Sequence, residues 1–353
     1  MTASLESAFT EHRPVDSCRS LLISGVNWLG DSVMSATSIQ ALKRSRPDLA
    51  VTVLVKSGLI PLWQMHPDVE SVIELRETLP GALMTASKLR SRKFDSSLVF
   101  PHSFRSALIP FLAGIPERIG LSGHHRDWML TSVVRIDERT RRRHQAFEYL
   151  DMAGMNAVER LEPPRFVVPD DIAAGCRERL AVSLKDRAGA PIVGIVPGAA
   201  YGPSKRWPAD RFSEVGQRLL ARDSCAIIVL GGGRDKPVCA ETAAGIGPTA
   251  ADFSGTTTIQ EFAGMLSMCS VVVANDSGGM HLAAAMGAKV VALFGITDPE
   301  ITGPIGEGHR VITGEAVERG RELPRDSERA ARAMNSIVPE KVFEAVHDLL
   351  HKQ

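Results

Sequence analysis

At 353 residues the chain is long enough for two domains with sizeable cores. Hydrophobic residues make up 44% and charged residues 23%, and 41 basic side chains balance 41 acidic ones. This is a soluble globular composition with no net field to attract nucleic acid or an anionic membrane. No apolar run reaches the ~18–20 residues of a membrane-crossing helix, and residues 1–17 lack the charged-then-apolar pattern of a secretory signal. The five scattered cysteines form no CxxC pair, which argues against a disulfide framework or a structural zinc site and for a reducing cytoplasm.

In chain order, SLLISG (20–25) is an apolar run predicted as a buried strand, followed by the glycine-containing VNWLGD. From Ser32 onward, Val33, Ala36, Ile39, Ala41 and Leu42 recur at helical spacing. VTVLV (51–55) and SSLVF (96–100) are two further strands. Residues 161–170 hold three prolines and 185–191 are small and polar, so the linker is placed in this stretch. The rhythm then restarts. PIVGIVPG (191–198), CAIIVLGGG (225–233), VVVA (271–274) and VVALFG (290–295) read as strands, with helices at 208–222, 259–269, 279–286 and, closing the chain, 337–352. Strands alternating with helices imply doubly wound parallel sheets. The expected organisation is two Rossmann-like domains, residues 1–170 and 171–335, facing a cleft, with a closing helix over 336–353.

Three loops carry candidate chemistry. Gly25 to Ser32 has GxxxxG spacing, but Asp31 stands where a P-loop requires Lys. An acid on a helix N-terminus at the mouth of a strand is favoured as the anion and sits where open α/β sheets receive ligands. A helix cap is the plain alternative, and Trp28 beside it weighs toward function. In Pro197 to Pro208, small residues let backbone amides approach an anion that Lys205 and Arg206 can neutralise, with Tyr201 nearby. Without a ligand this is a solvated loop. In Asn275 to His281, Asp276 and Ser277 are cap-type residues and the glycines open the backbone at a helix start, an anion site needing no metal.

Weaker signals are Gly231–Gly233, which lacks the third glycine of a dinucleotide fingerprint, Asp235, and the Arg141–His144 run. Met34, Met265 and Met268 read as core. HExxH, GxSxG and a DxD-like pair are all missing from the sequence, which removes the usual route for Mg²⁺ to bridge a nucleotide diphosphate. No metal and no cofactor are expected.

The stretches NWLGDSVMS (27–35), PHSFRSALIPFLAGIPERIG (101–120), PGAAYGPSKRWP (197–208), FSGTTTIQEFAGML (253–266), NDSGGMHLAAAMG (275–287) and LFGITDP (293–299) resemble the ADP-heptose:lipopolysaccharide heptosyltransferases of glycosyltransferase family 9, and within it the type II enzymes. The resemblance implies a GT-B architecture, with the donor bound by the C-terminal domain and the acceptor by the N-terminal one. It also implies an inverting, metal-independent transfer of heptose from ADP-L-glycero-D-manno-heptose onto the first heptose of the lipopolysaccharide inner core. By the same resemblance Asp31 is the general base and Lys205 meets the diphosphate. Asp276, Ser277, Gly278, Gly279 and His281 hold donor sugar and phosphates, joined by Gly198 and Tyr201, while Thr256 and Thr257 line the nucleoside pocket. Asn27, Trp28, His102 and Arg105 are assigned to the acceptor, with Lys56, Arg126 and Arg141–Arg143 as further candidates for its anionic groups.

Two departures stand out. Gly279 replaces a larger apolar residue usual in relatives and is expected to loosen the phosphate-binding turn. Residues 314–336 match no family motif and are read as a mobile acceptor-side loop. The partners expected are ADP-heptose and a lipid-linked inner-core acceptor, with no nucleic acid, in a cytoplasmic enzyme touching the inner face of the inner membrane. The rivals are a heptosyltransferase I or III with another acceptor, a sugar-nucleotide epimerase, and a non-catalytic nucleotide binder.

Overall fold

The computed structural model describes residues 18–136, 138–316, 319–320 and 327–351. The expectation for residues 1–17 therefore lies outside the described residues.

Two six-stranded, wholly parallel sheets form the frame. The first contains β1 (Ser20–Ser24), β2 (Ala50–Val55), β3 (Ser71–Glu74), β4 (Ser96–Val99), β5 (Glu117–Leu121) and β6 (Ser132–Val134), in the order β3-β2-β1-β4-β5-β6. The second contains β7 (Ile192–Val196), β8 (Ala226–Val229), β9 (Ala250–Asp252), β10 (Val271–Asn275), β11 (Lys289–Phe294) and β12 (Arg310–Thr313), in the order β9-β8-β7-β10-β11-β12. Numbered within each sheet, both orders read 3-2-1-4-5-6, the doubly wound arrangement. The winding reverses between β1 and β4 and again between β7 and β10. In open α/β sheets the ligand crevice lies at that reversal, outside the carboxyl ends of the strands.

The central strands are buried on both faces by helices, which is why they read as continuous apolar runs. Leu21, Leu22, Ile23, Val51 and Val53 are fully buried in the first sheet, as are Val193, Ile195, Val271, Val273, Val291 and Leu293 in the second. Helix Leu29–Ser45 packs Val33, Met34, Ala36 and Ile39 into the first core. Its first turn carries Asp31 and its last turn Lys43 and Arg44, both complementing the helix dipole. The closing helix Pro339–His351 buries Val342, Phe343 and Val346 in the second core, where Trp207 and Phe212 also lie.

The segment 314–336 corrects the expectation of an acceptor-side loop. Its described parts belong to the second domain. Helix Glu328–Asn335 buries Ala330, Ala333 and Met334, and the Ser327 amide donates to Ser204 Oγ at 3.0 Å, beside Lys205. Arg319 donates to the carbonyls of Gly295 and Gly314. Residues 317–318 and 321–326 lie outside the described residues.

Candidate active site

All three candidate loops leave the two reversal points. In the first domain, the chain after β1 enters Gly25–Asp31 and the chain after β4 enters 100–106. In the second, β7 leads to 197–205 and β10 to 275–281.

Asp31 lies in the first turn of helix Leu29–Ser45, whose cap residue Trp28 makes no side-chain capping bond. Trp28 is 50% exposed, so it is not a core residue. A cavity of about 1040 Å³ opens beside the carboxylate and is lined by Trp28, Asp31, His102, Arg135, Arg141 and Glu148, among others. A chamber of about 270 Å³ shares Trp28, Asp31 and His102 and adds Asn27, Gln145 and Tyr149. A third space of about 340 Å³ holds Asn27, Lys56 and Arg105, where Lys56 pairs with Glu77 at 2.8 Å and holds that carboxyl below its usual range.

Arg126 is a correction. It is fully buried, and its guanidinium donates to the carbonyls of Leu121, Pro101 and Ser103 and to Ser106 Oγ. It meets no acceptor; it fixes the loop that presents His102 and Arg105. Arg143 stacks on Phe147, with 3.4 Å from its guanidinium carbon to the ring centroid, which leaves Arg141 as the residue of that run lining the main cavity.

In the second domain, Lys205 Nζ lies 2.6 Å from Asp276 Oδ2, with Asp276 5% exposed. Lys205 also stands 5.5 Å from the centre of the Tyr201 ring. Asn275 holds the loops in place: its Nδ2 donates to Pro197 O at 2.8 Å and its Oδ1 accepts from Trp207 N at 3.1 Å. Ser277 is the cap residue of helix Gly278–Ala285 but makes no side-chain capping bond, so the plain alternative of an ordinary side-chain-capped helix is not what forms. Helix geometry leaves the first-turn amides of Gly278, Gly279 and Met280 without an intrahelical acceptor, the arrangement that binds phosphate elsewhere.

Gly279 does not loosen this turn. A β-carbon there would stand 2.8 Å from Val196 Cγ1 and 3.3 Å from Phe262 Cζ, so those two side chains pack directly against the bare backbone of the turn. Gly198 serves packing in the same way: a β-carbon on it would collide with Asp235 at 2.3 Å. Asp235 in turn lies 3.6 Å from Arg206. Thr256 donates to Phe253 O at 2.8 Å and accepts from Arg179 at 3.1 Å, while Thr257 lies half-buried in the same loop. That loop borders the Gly231–Gly233 turn through the Gly255 amide bond to Gly231 O.

The two halves meet at their helix starts. A β-carbon on Gly30 would lie 3.0 Å from His281 Cδ2 and 3.4 Å from Gly278 Cα. Asp31, from the first domain, is thereby one residue from contact with the helix start of the second. His281 is 5% exposed; burial, reinforced by His144 and Lys205, holds its pKa down to about 3, so the ring is neutral.

Gln145 was missed as a site residue, and His144 entered only as the end of the Arg141–His144 run. Gln145 Nε2 donates to Asp31 Oδ1 at 3.1 Å and to Tyr149 OH at 3.2 Å, while its backbone amide donates to Ile301 O of the second domain at 2.8 Å. His144 Nδ1 accepts from Ala146 N at 3.2 Å, which leaves Nε2 to donate to Gly303 O at 3.0 Å. Nothing local in the sequence marks their roles, because the partners that matter, Asp31 for Gln145 and Gly303 for His144, lie more than a hundred positions away.

Comparison with known proteins bears on the family and the fold. The family model described as glycosyltransferase family 9 (heptosyltransferase) matches residues 83–328. The lipooligosaccharide heptosyltransferase 2 of Haemophilus influenzae is 30% identical over 94% of this chain and 99% of its own length. The lipopolysaccharide heptosyltransferase 2 of Salmonella typhimurium is 29% identical over 94% and 99%. The solved structure of the Escherichia coli ADP-heptose LPS heptosyltransferase II superposes with a TM-score of 0.82 at 26% identity, covering 94% of this chain and 98% of that one. Two parallel sheets wound alike, with facing ligand crevices, are thus the GT-B frame, and the chain belongs to glycosyltransferase family 9, the heptosyltransferases.

Proposed function

We propose that this glycosyltransferase transfers heptose from ADP-L-glycero-D-manno-heptose to the first heptose of a lipid-linked lipopolysaccharide inner core, with inversion and release of ADP. The observation that carries this reading is the meeting of the two helix starts at Gly30, Gly278 and His281. It sets a carboxylate against the cavity of one domain and an anion site at the facing edge of the other.

The acceptor heptose occupies the Asp31 cavity and the ADP moiety the loops around Lys205 and Asp276. Asp31 accepts the proton of the attacking hydroxyl, a role worth ~10²–10⁴-fold in rate. A helix start favours the carboxylate anion and so weakens it as a base. Late proton transfer resolves this, because the hydroxyl acidifies as its bond to the anomeric carbon forms. Lys205 and the first-turn amides of helix Gly278–Ala285 balance the charge that grows on departing ADP, electrostatic help of which one donor commonly contributes ~10²–10³ in turnover. Lys205 is already paired with Asp276, so the diphosphate competes with that carboxylate for it. Neutral His281 offers the donor a ring nitrogen without added charge.

Among the described residues no helix is long and apolar enough to cross a membrane. The lipid acceptor is instead met from the surface. Phe104 and Phe111 are exposed and each in ring contact with exposed Trp128, beside His124 and His125, which supports transient contact with a lipid headgroup layer.

The test is ADP release from ADP-heptose by purified protein in EDTA, with and without a mono-heptosylated Kdo–lipid A acceptor. Acceptor-dependent release is expected. Release without acceptor, or only with an acceptor carrying no heptose or a longer core, overturns the acceptor assignment.

A further inference from the structure

We propose that Asp223, His347 and His351 form a binding site for one divalent transition-metal ion of the Zn²⁺ or Ni²⁺ class, remote from the catalytic cleft. Asp223 Oδ1 lies 2.8 Å from His347 Nδ1 and 2.8 Å from His351 Nε2. The three donor atoms lie within 4.8 Å of one another. The histidines stand one turn apart on helix Pro339–His351, and their ring centroids are 4.6 Å apart. Two imidazoles on successive turns with a carboxylate from another element are a donor set suited to borderline divalent ions.

A second observation points the same way. Asp223 is 3% exposed, and its other oxygen, Oδ2, is buried with no hydrogen-bond partner. A shared hydrogen bond from two imidazoles satisfies Oδ1 and leaves a buried carboxylate oxygen unmet, a costly arrangement. An ion held by Oδ1 neutralises the whole carboxylate. The histidine side chains are 30% and 57% exposed, which gives the ion a path from solvent and leaves room for water to complete its coordination. Metal–nitrogen and metal–oxygen bonds of ~2.0–2.1 Å in a tetrahedron separate neighbouring donors by about 3.3 Å. The observed 2.8 Å spacings therefore open by about half an ångström on binding. His351, in the last turn of the helix, is free to make that adjustment.

The site's position gives it a structural role. Asp223 follows helix Ala209–Arg222 and precedes β8, so it stands at the amino ends of the strands. Lys205 and Asp276 follow the carboxyl ends of β7 and β10, at the opposite edge of the sheet. An ion here staples the closing helix to the second domain without touching the transfer reaction, and a metal-independent activity is compatible with it.

The experiment strips the full chain with EDTA, removes the chelator, and titrates ZnCl₂ and NiCl₂ by calorimetry, with the melting temperature read alongside. Saturation at one ion per chain is expected, with a rise in Tm. His351→Ala, which removes a mostly exposed side chain, is expected to weaken binding about tenfold or more and to cancel the Tm rise, with transfer activity in EDTA unchanged. His347→Ala serves as the second variant. The proposal is overturned if no saturable binding occurs, or if both variants bind the ion as tightly as the unaltered chain.

Discussion

Gly30 and Gly278 open helices that follow different sheets, and a β-carbon on Gly278 would lie 3.0 Å from the Gly30 nitrogen and 2.8 Å from Leu29 Cβ. The two domains therefore pack tightly at the starts of the two helices that carry Asp31 and the phosphate site, with no room there for a side chain on Gly278. Gly278→Ala inserts a methyl group between rigid elements. The expected cost is ~1–3 kcal/mol of stability, read as a lower Tm, with a loss of transfer rate. Gly30→Ala, which would meet the His281 ring edge at 3.0 Å, is expected to cost less, because a side chain gives way more readily than a main chain. Equal Tm values for Gly278→Ala and the unaltered chain would show that the domains do not bear on each other at this point.

Asp31→Asn and Asp31→Ala should abolish transfer, by ~10²–10⁴-fold, while ADP-heptose binding stays nearly intact. Calorimetric titration of the donor separates the two effects. If donor affinity falls in parallel with rate, Asp31 belongs to the donor site and is not the base.

Gln145 grips Asp31 with its side chain and the second domain with its backbone. Gln145→Ala keeps the backbone tether and removes the grip. The expected outcome is a fall in kcat of up to ~10²-fold, the scale of loss when a reacting group is misplaced by about 1 Å, with the donor KM unchanged. Gln145→Glu should be worse than Ala, since it sets a second carboxylate against Asp31. A variant that raises the donor KM and leaves kcat alone would refute a positioning role.

Lys205→Ala should weaken ADP more than adenosine, since only the diphosphate meets the ammonium. The same change strands Asp276, a carboxylate 5% exposed whose partner stood at 2.6 Å, and a buried charge left unpaired is strongly destabilising. The double variant Lys205→Ala, Asp276→Asn should recover part of the lost Tm without recovering the ADP affinity. Equal losses for ADP and adenosine would make Lys205 structural.

His281 has its pKa depressed from 6.5 to about 3 by burial, with His144 and Lys205 adding to it. Folding therefore favours the neutral ring. The stability this confers is complete above pH 6.5 and is lost as pH falls from there toward 3. His66, held at about 4 mainly by burial, acts in the same direction. His281→Gln should flatten the decline of Tm between pH 6.5 and 4 relative to the unaltered chain. An unchanged slope would show that His281 is not the group taking up the proton.

Central strands were legible because they are buried on both faces, and so their sequences are unbroken apolar runs, as in LLIS, VTVLV and VVVA. The strands that escaped notice include all four sheet edges: Ser71–Glu74, Ser132–Val134, Ala250–Asp252 and Arg310–Thr313, each with at most one buried residue. Their pairing is supplied by the neighbouring strand, and a half-exposed segment carries little pattern of its own. Of the site, Asp31, Lys205 and the turn at Asp276 were readable because each sits in a short glycine-bearing loop between a strand and a helix, where local sequence and chemistry coincide.

What the sequence determined by itself was therefore the local content: which runs become buried strands, which loops leave them, and which charges those loops carry. Only the tertiary structure decided what those charges meet. It buried Arg126, which reads in sequence like any surface arginine, and turned it into a clamp on the loop bearing His102 and Arg105. It brought Gln145 to Asp31 and Asp223 to His347 and His351, partners separated by 114 or more positions. Backbone hydrogen bonding and apolar burial are written in spans of a few residues. Partners so far apart in sequence are set by how helices fold back onto their own sheet, the helix after Gln145 onto the first and the closing helix onto the second, and no short span of sequence carries that information.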